Sequence, residues 1–159
     1  MQSGITIRFA QPDDAAAIAA TLRNSFVEYE SLYTPEGYAA TTPNEAEIRR
    51  RFAEGQTWVA ESPIQIVGTV SGLPKGNSLY IRSMAVLPAA RGSGLGERLL
   101  REIENFALAE GYARLFLSTT PFLYRAIRLY KSFGFTRDNE PPNDLFGTPL
   151  VTMSKTLHS

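Results

Sequence analysis

Val86-Leu87-Pro88-Ala89-Ala90-Arg91-Gly92-Ser93-Gly94-Leu95-Gly96 is the stretch on which the reading of this 159-residue chain turns. Before it, Ser78 to Leu87 is β-rich and is closed by Pro88, which has no N–H for a further ladder bond. That predicts a central strand with an abrupt end. After it, Leu95, Leu99, Ile103 and Phe106 recur on one helical face until Gly111. A glycine turn leading from strand to helix permits positive φ, lets a ligand approach the backbone, and points unpaired N–H groups at it. Arg91 adds a guanidinium suited to bidentate contact with phosphate oxygens. Read this way the turn is an anion site; the plain alternative is a tight turn that needs glycine for packing. A P-loop is excluded because Glu97 and Arg98 follow Gly96 where Lys and Ser/Thr would stand. A dinucleotide fingerprint fails as well, because Glu97 replaces its third glycine and Arg114 to Thr119 holds no acid.

Outward from the turn, Ile5 to Phe9 reads as a first strand and Pro12-Asp13-Asp14 as a helix start. Ile18, Leu22 and Phe26 lie on one face of a helix running to about Glu30, and Tyr33 to Ala40 breaks that pattern. Thr42-Pro43-Asn44-Glu45 combines a capping-box spacing with proline at the first helical position, and Ile48 and Phe52 give the buried face up to Gly55. Two N-terminal helices are expected. Thr57 to Glu61 and Gln65 to Gly72 are strands flanking Ser62-Pro63, with the next turn at Pro74 to Asn77. Arg114 to Thr119 is a strand, followed by a helix from about Phe122 to Phe133 ended by Gly134, and by short strands near Phe135 and at Leu150 to Lys155. With no repeat or linker, one α/β domain covering residues 1–159 is expected.

Composition narrows the chemistry. Hydrophobic residues make up 43% of the chain, enough for a core without staples. The chain has no cysteine, which excludes thiol nucleophiles and cysteine-ligated metals, and its single histidine, His158, stands beside the C-terminus, which excludes Ser-His-Asp hydrolysis and multi-histidine metal sites. No metal is expected. Sixteen basic residues balance sixteen acidic ones, which argues against nucleic acid or a membrane as partner and for a small molecule. Residues 1–80 carry 6 basic and 9 acidic side chains against 10 and 7 beyond them, so the C-terminal half suits an anion better. Without an apolar run of membrane length or a secretory signal, a cytoplasmic protein is expected.

Arg91, Gly94 and Gly96 meet the pattern Arg/Gln-x-x-Gly-x-Gly/Ala, which resembles the pyrophosphate-binding turn of the GNAT superfamily of acetyl-CoA-dependent N-acetyltransferases. Val67-Gly68-Thr69-Val70 resembles that family's third strand and Met84-Ala85-Val86 the end of its fourth. Ala126-x-x-Leu129-Tyr130-x-x-x-Gly134-Phe135 is similar to the helix-to-strand segment after its fifth, so that the likeness extends over residues 5 to 156. It implies an α+β domain with a mixed central sheet of about six to seven strands flanked by helices, the fourth strand splayed from its neighbour.

The resemblance further implies acetyl-CoA as acyl donor, with the pyrophosphate on Arg91, Gly92, Ser93, Gly94, Leu95 and Gly96 and the pantetheine along Met84, Ala85 and Val86. The Met84 N–H would polarise the thioester carbonyl, and Tyr130 would protonate the departing thiolate, although helical spacing alone favours reading Tyr130 as a core residue. Where some relatives carry a glutamate base, this chain has Tyr80, leaving an ordered water, Glu28 or Glu30 to take the amine proton. Leu123 departs from an asparagine of many relatives. The acceptor segment Tyr29 to Thr42 is rich in aromatics and hydroxyls, among them Tyr33 and Tyr38, and with Glu28 and Tyr80 suits a small polar amine. A protein N-terminus as acceptor, and a homodimer, stay open. The competing reading, drawn from Tyr80 and Leu123, is a non-catalytic module that binds or senses acyl-CoA.

Overall fold

The computed structural model describes residues 4–139, 141 and 143–158. In chain order it comprises β1 (Thr6–Phe9), α1 (Ala15–Phe26), α2 (Pro35–Thr41), α3 (Glu45–Arg51), β2 (Gln56–Glu61), β3 (Ile66–Lys75), β4 (Ser78–Val86), α4 (Leu95–Ala109), β5 (Arg114–Thr119), α5 (Tyr124–Ser132), β6 (Thr136–Arg137), β7 (Asn143–Leu145) and β8 (Thr148–Thr156). The strands form one mixed sheet in the order β1-β2-β3-β4-β5-β8-β6, with β7 paired to β8. Among the described residues only β4 and β5 run parallel. Parallel neighbours need a crossover, and α4 supplies it.

The core divides across the sheet. On one face α4 buries Leu95, Leu99, Leu100, Ile103 and Ala107 against Leu79, Ile81, Leu115 and Leu117. On the other, α1 and α3 bury Ile18, Leu22 and Ile48 against Val59, Ile66 and Ala85. Each fully buried Leu or Ile contributes about 1.5–3 kcal/mol, so both layers hold the sheet firmly on either side of the turn.

Several expectations need correcting. α1 stops at Phe26 and continues as a 3₁₀ segment, Val27–Leu32, rather than as α-helix to Glu30. Three helices precede β2 instead of two. The stretch read as a break contains α2, capped by the Thr34 hydroxyl on Gly37 N–H at 3.0 Å with Pro35 in its first turn. Gly37 is buried, and a Cβ there would lie 2.5 Å from Thr148 Oγ1, so glycine lets α2 lie against the β7–β8 hairpin. The cap of α3 is Asn44, in a reciprocal box with Glu47, and not Thr42, whose hydroxyl donates back to Tyr38 O at 2.9 Å. β3 runs through Pro74 to Lys75, so only Gly76 and Asn77 form the turn. β7 was not anticipated, and brings the sheet to eight strands. β4 ends at Val86, ahead of Pro88, as expected, and β5 has the predicted bounds.

Candidate active site

β4 and β5 are paired only from Ser78↔Arg114 to Ile81↔Leu117. Beyond Ile81 the strands part, and among the described residues Arg82 to Val86 keep β3 as their sole ladder partner. A bulge accompanies the parting. Gly68 faces Val86 and Thr69 faces Ala85, but Ser71 faces Arg82, so β4 carries one extra residue there, and Ser83 adopts a φ of 57°. A one-residue slip exchanges the faces of everything beyond it. Tyr80 and Arg82 therefore share the α1 side with Ala85, while Met84 and Val86 join Leu79 and Ile81 against the α4 core. The Leu87 N–H donates to Val67 O at 2.9 Å, toward β3. Successive N–H groups of a strand point to opposite sides, so those of Met84 and Val86 face the gap.

The gap is the mouth of a cavity of about 640 Å³, walled by the end of β4, the turn at 90–97, the end of β5, α5 and the segment around Tyr29 and Tyr33. Three glycines shape one wall. Gly92 and Gly94 have φ of 80° and 81° with open space where a Cβ would be, and Gly94 is the N-cap of α4 with no side chain capping its first turn. The first N–H groups of α4, at the positive end of its dipole, are thus left to face a ligand. Gly96 does something different: its Cβ would meet Leu129 Cδ2 at 2.7 Å, so it sets the approach of α5 to α4.

Arg91 is turned away from the expected bidentate phosphate contact. Its guanidinium donates to Glu28, to Ser25 O at 2.9 Å and to Val86 O at 3.3 Å. It ties the turn to α1. Glu28 is consequently its counter-ion and lies outside the cavity lining, as does the exposed Glu30. Ser93 is also outside the lining, its hydroxyl donating to Ala90 O. The remaining predicted residues, Met84, Ala85, Val86, Leu95, Tyr29, Tyr33, Tyr80 and Tyr130 with the three glycines, converge on the cavity.

Tyr130 is 7% exposed, its ring 5.9 Å from Phe135, and its hydroxyl points at Met84 Sδ at 3.9 Å. Burial, reinforced by Tyr33 and Tyr80, pushes this phenol well above the ordinary tyrosine value. It holds its proton at every physiological pH. Tyr33 is pushed up by burial and pulled back by hydroxyls of Thr120 and Thr41, and it meets Phe122 edge-on at 4.9 Å. Tyr80 is likewise raised by burial and moderated by Arg82 and Ser118, and stacks at 4.9 Å on Phe116, its partner across the β4–β5 pairing. Leu123 occupies the N-cap of α5, where it offers no side-chain bond. The sequence reading missed Arg51 and Arg82, both in the cavity wall.

The model of the Acetyltransferase (GNAT) family matches residues 20–135. The chain belongs to that family. The protein named uncharacterized N-acetyltransferase YjgM, from Escherichia coli (strain K12), is 34% identical over 128 residues, covering 77% of this chain and 76% of YjgM. The mouse protein named probable N-acetyltransferase family 8 member 5 is 36% identical over 100 residues, or 58% of this chain and 44% of that protein. This GNAT chain therefore spans less than half the length of that relative. Among solved structures, the PaiA N-acetyltransferase of Thermoplasma acidophilum in complex with coenzyme A superposes with a TM-score of 0.80 at 18% identity, over 96% of this chain and 99% of that one, a likeness of fold alone. The yncA structure from Salmonella typhimurium, with its cofactor acetyl-CoA, gives 0.76 at 25% identity over 98% and 95%.

Proposed function

We propose that this GNAT chain moves the acetyl group of acetyl-CoA to a primary amine of a small acceptor by direct attack in a ternary complex. The observation that carries this reading is the free edge of β4 at Met84 to Val86, which opens opposite Tyr130 and runs into the uncapped turn of α4. The N–H groups around Gly92 to Gly96 would hold the donor's pyrophosphate, and the edge at Met84 and Val86 its pantetheine. Acetyl-CoA supplies an acetyl group already activated as a thioester. The Met84 N–H stabilises charge that develops on the carbonyl oxygen as the amine attacks. Tyr130, kept protonated by its burial, gives its proton to the sulfur that leaves. Neither Glu28, paired with Arg91, nor Glu30 lines the cavity, so the proton of the attacking amine passes to water at the gap.

The chain has no cysteine to carry an acetyl intermediate, so the two substrates are bound together. Initial rates measured over a grid of acetyl-CoA and amine concentrations should give intersecting double-reciprocal lines. Parallel lines, the sign of a covalent intermediate, would contradict direct attack.

A further inference from the structure

Arg51 and Arg82, two of the arginines in the cavity wall, have no part in donor binding or proton transfer. Arg51, the last residue of α3, is half-buried and donates to Ser83 Oγ at 3.2 Å. Among the described residues it has no carboxylate within ion-pair distance, Glu54 and Glu47 acting on it only from further away. Arg82 donates to Glu54 Oε1 at 2.9 Å, and its Nε is buried without a partner. The two guanidiniums are close enough to repel. Burial, and then the charge of Arg82, push Arg51 down from its ordinary value, although an arginine in this setting stays charged.

Keeping such a pair in a partly desolvated cleft costs stability unless something negative arrives between them. The only acid in the lining, among the described residues, is Glu97, on the α4 turn at the donor end. Two guanidiniums against one half-exposed Glu54 leave a single uncompensated positive charge, which matches a monoanion better than a phosphate dianion. The location is also defined. Ser83, held at positive φ by the bulge and bonded to Arg51, is followed directly by Met84, whose N–H faces the gap.

We infer that Arg51 and Arg82 form a carboxylate subsite, so that the acceptor is a small molecule bearing both a primary amine and a carboxylate, as an amino acid does. This rests on the acetyl-transfer reading. It disfavours polycationic acceptors, which the uncompensated charge would repel. Arg51 reads the carboxylate, Arg82 adds its positive charge beside it, and the aromatic wall at Tyr29 and Tyr33 is left for the remainder of the acceptor.

The test compares free amino acids with their carboxamides as acceptors, by thiol release, and the corresponding N-acetyl acids with N-acetyl amides, by binding to the CoA-saturated protein. In the parent the acid should be preferred by roughly tenfold to a hundredfold, the range set by a charge-assisted hydrogen bond. Arg51→Gln should abolish the preference, Arg51→Lys should retain part of it, and CoA affinity should be unchanged in both. If CoA binds but acid and amide are equivalent in turnover and in binding, or a phosphonate analogue outcompetes the carboxylate, the subsite assignment is overturned while acetyl transfer stands. If CoA itself fails to bind, the acetyl-transfer reading is lost and the subsite with it.

Discussion

Replacing Tyr130 by Phe removes one proton and little else. The ring stays packed against Phe135, and the only bond lost is the long O–H contact to Met84 Sδ at 3.9 Å. Stability at neutral pH should therefore change by less than about 1 kcal/mol, the scale of an ordinary hydrogen bond at its upper end. If Tyr130 supplies the proton for the leaving thiolate, kcat should fall by roughly 10² to 10⁴ while CoA affinity and melting temperature stay near the parent values. The pH dependence carries a second signature. Burial raises this phenol in the folded state, so between neutral pH and the ordinary tyrosine value of about 10 it is protonated folded and unfolded, and contributes no slope. Above about pH 10 the unfolded chain ionises while the folded one does not, so stability falls as pH rises further, and Tyr130→Phe should lose less than the parent there. Steady-state kinetics, CoA titration and denaturant melts at pH 7 and above 10 cover every arm. Near-parent turnover in a folded Phe variant would refute the reasoning.

Gly96→Ala forces a Cβ to within 2.7 Å of Leu129 Cδ2, and overpacking of this kind should cost about 1–3 kcal/mol in a urea melt, where no loss would mean that α5 yields freely. Gly94→Ala meets no atom, so its cost should be that of positive φ alone, about 1–2 kcal/mol, accompanied by weaker CoA binding; unchanged affinity would take the turn out of the donor site. Asp14 is held below the usual carboxylate value by Arg8, at 2.8 and 3.0 Å, with the Gln11 N–H adding to the effect. Its contribution should be present above the ordinary value of 3.8 and disappear as pH falls further, so the parent should exceed Asp14→Asn by about 1–3 kcal/mol at pH 7 and converge with it in acid.

What could be read from the sequence was whatever leaves a local trace. Gly92 and Gly94 announce positive φ, Pro88 announces the end of β4, and the stripe Leu95, Leu99, Ile103 announces the buried face of α4. α2 also left a trace, Thr34-Pro35, but seven residues with a buried glycine and a single part-buried aromatic, Tyr38, give too little periodicity, and the helix depends on packing against β7 and β8. The bulge at Ser83 leaves none. Serine has no preference for a φ of 57°, and the slip is imposed by the register with β3. Arg51 and Arg82 stand 31 positions apart and meet only because the α3 end lies over the bulged strand, so neither could be singled out beforehand. Arg91 was legible as part of the turn, yet the direction of its guanidinium depends on Glu28 and Ser25 of a distant segment.

Because the gap at Met84 to Val86 is read as a site of chemistry rather than of storage, the most direct measurement is thiol release from acetyl-CoA by the purified chain, with and without amines, alongside CoA-dependent stabilisation. Saturation at a hundred times Kd should stabilise the fold by about 2.7 kcal/mol, and thiol release should depend on the amine. Stabilisation by CoA with no release from any amine would contradict catalysis and leave a binding module, and no stabilisation at all would contradict the donor site itself.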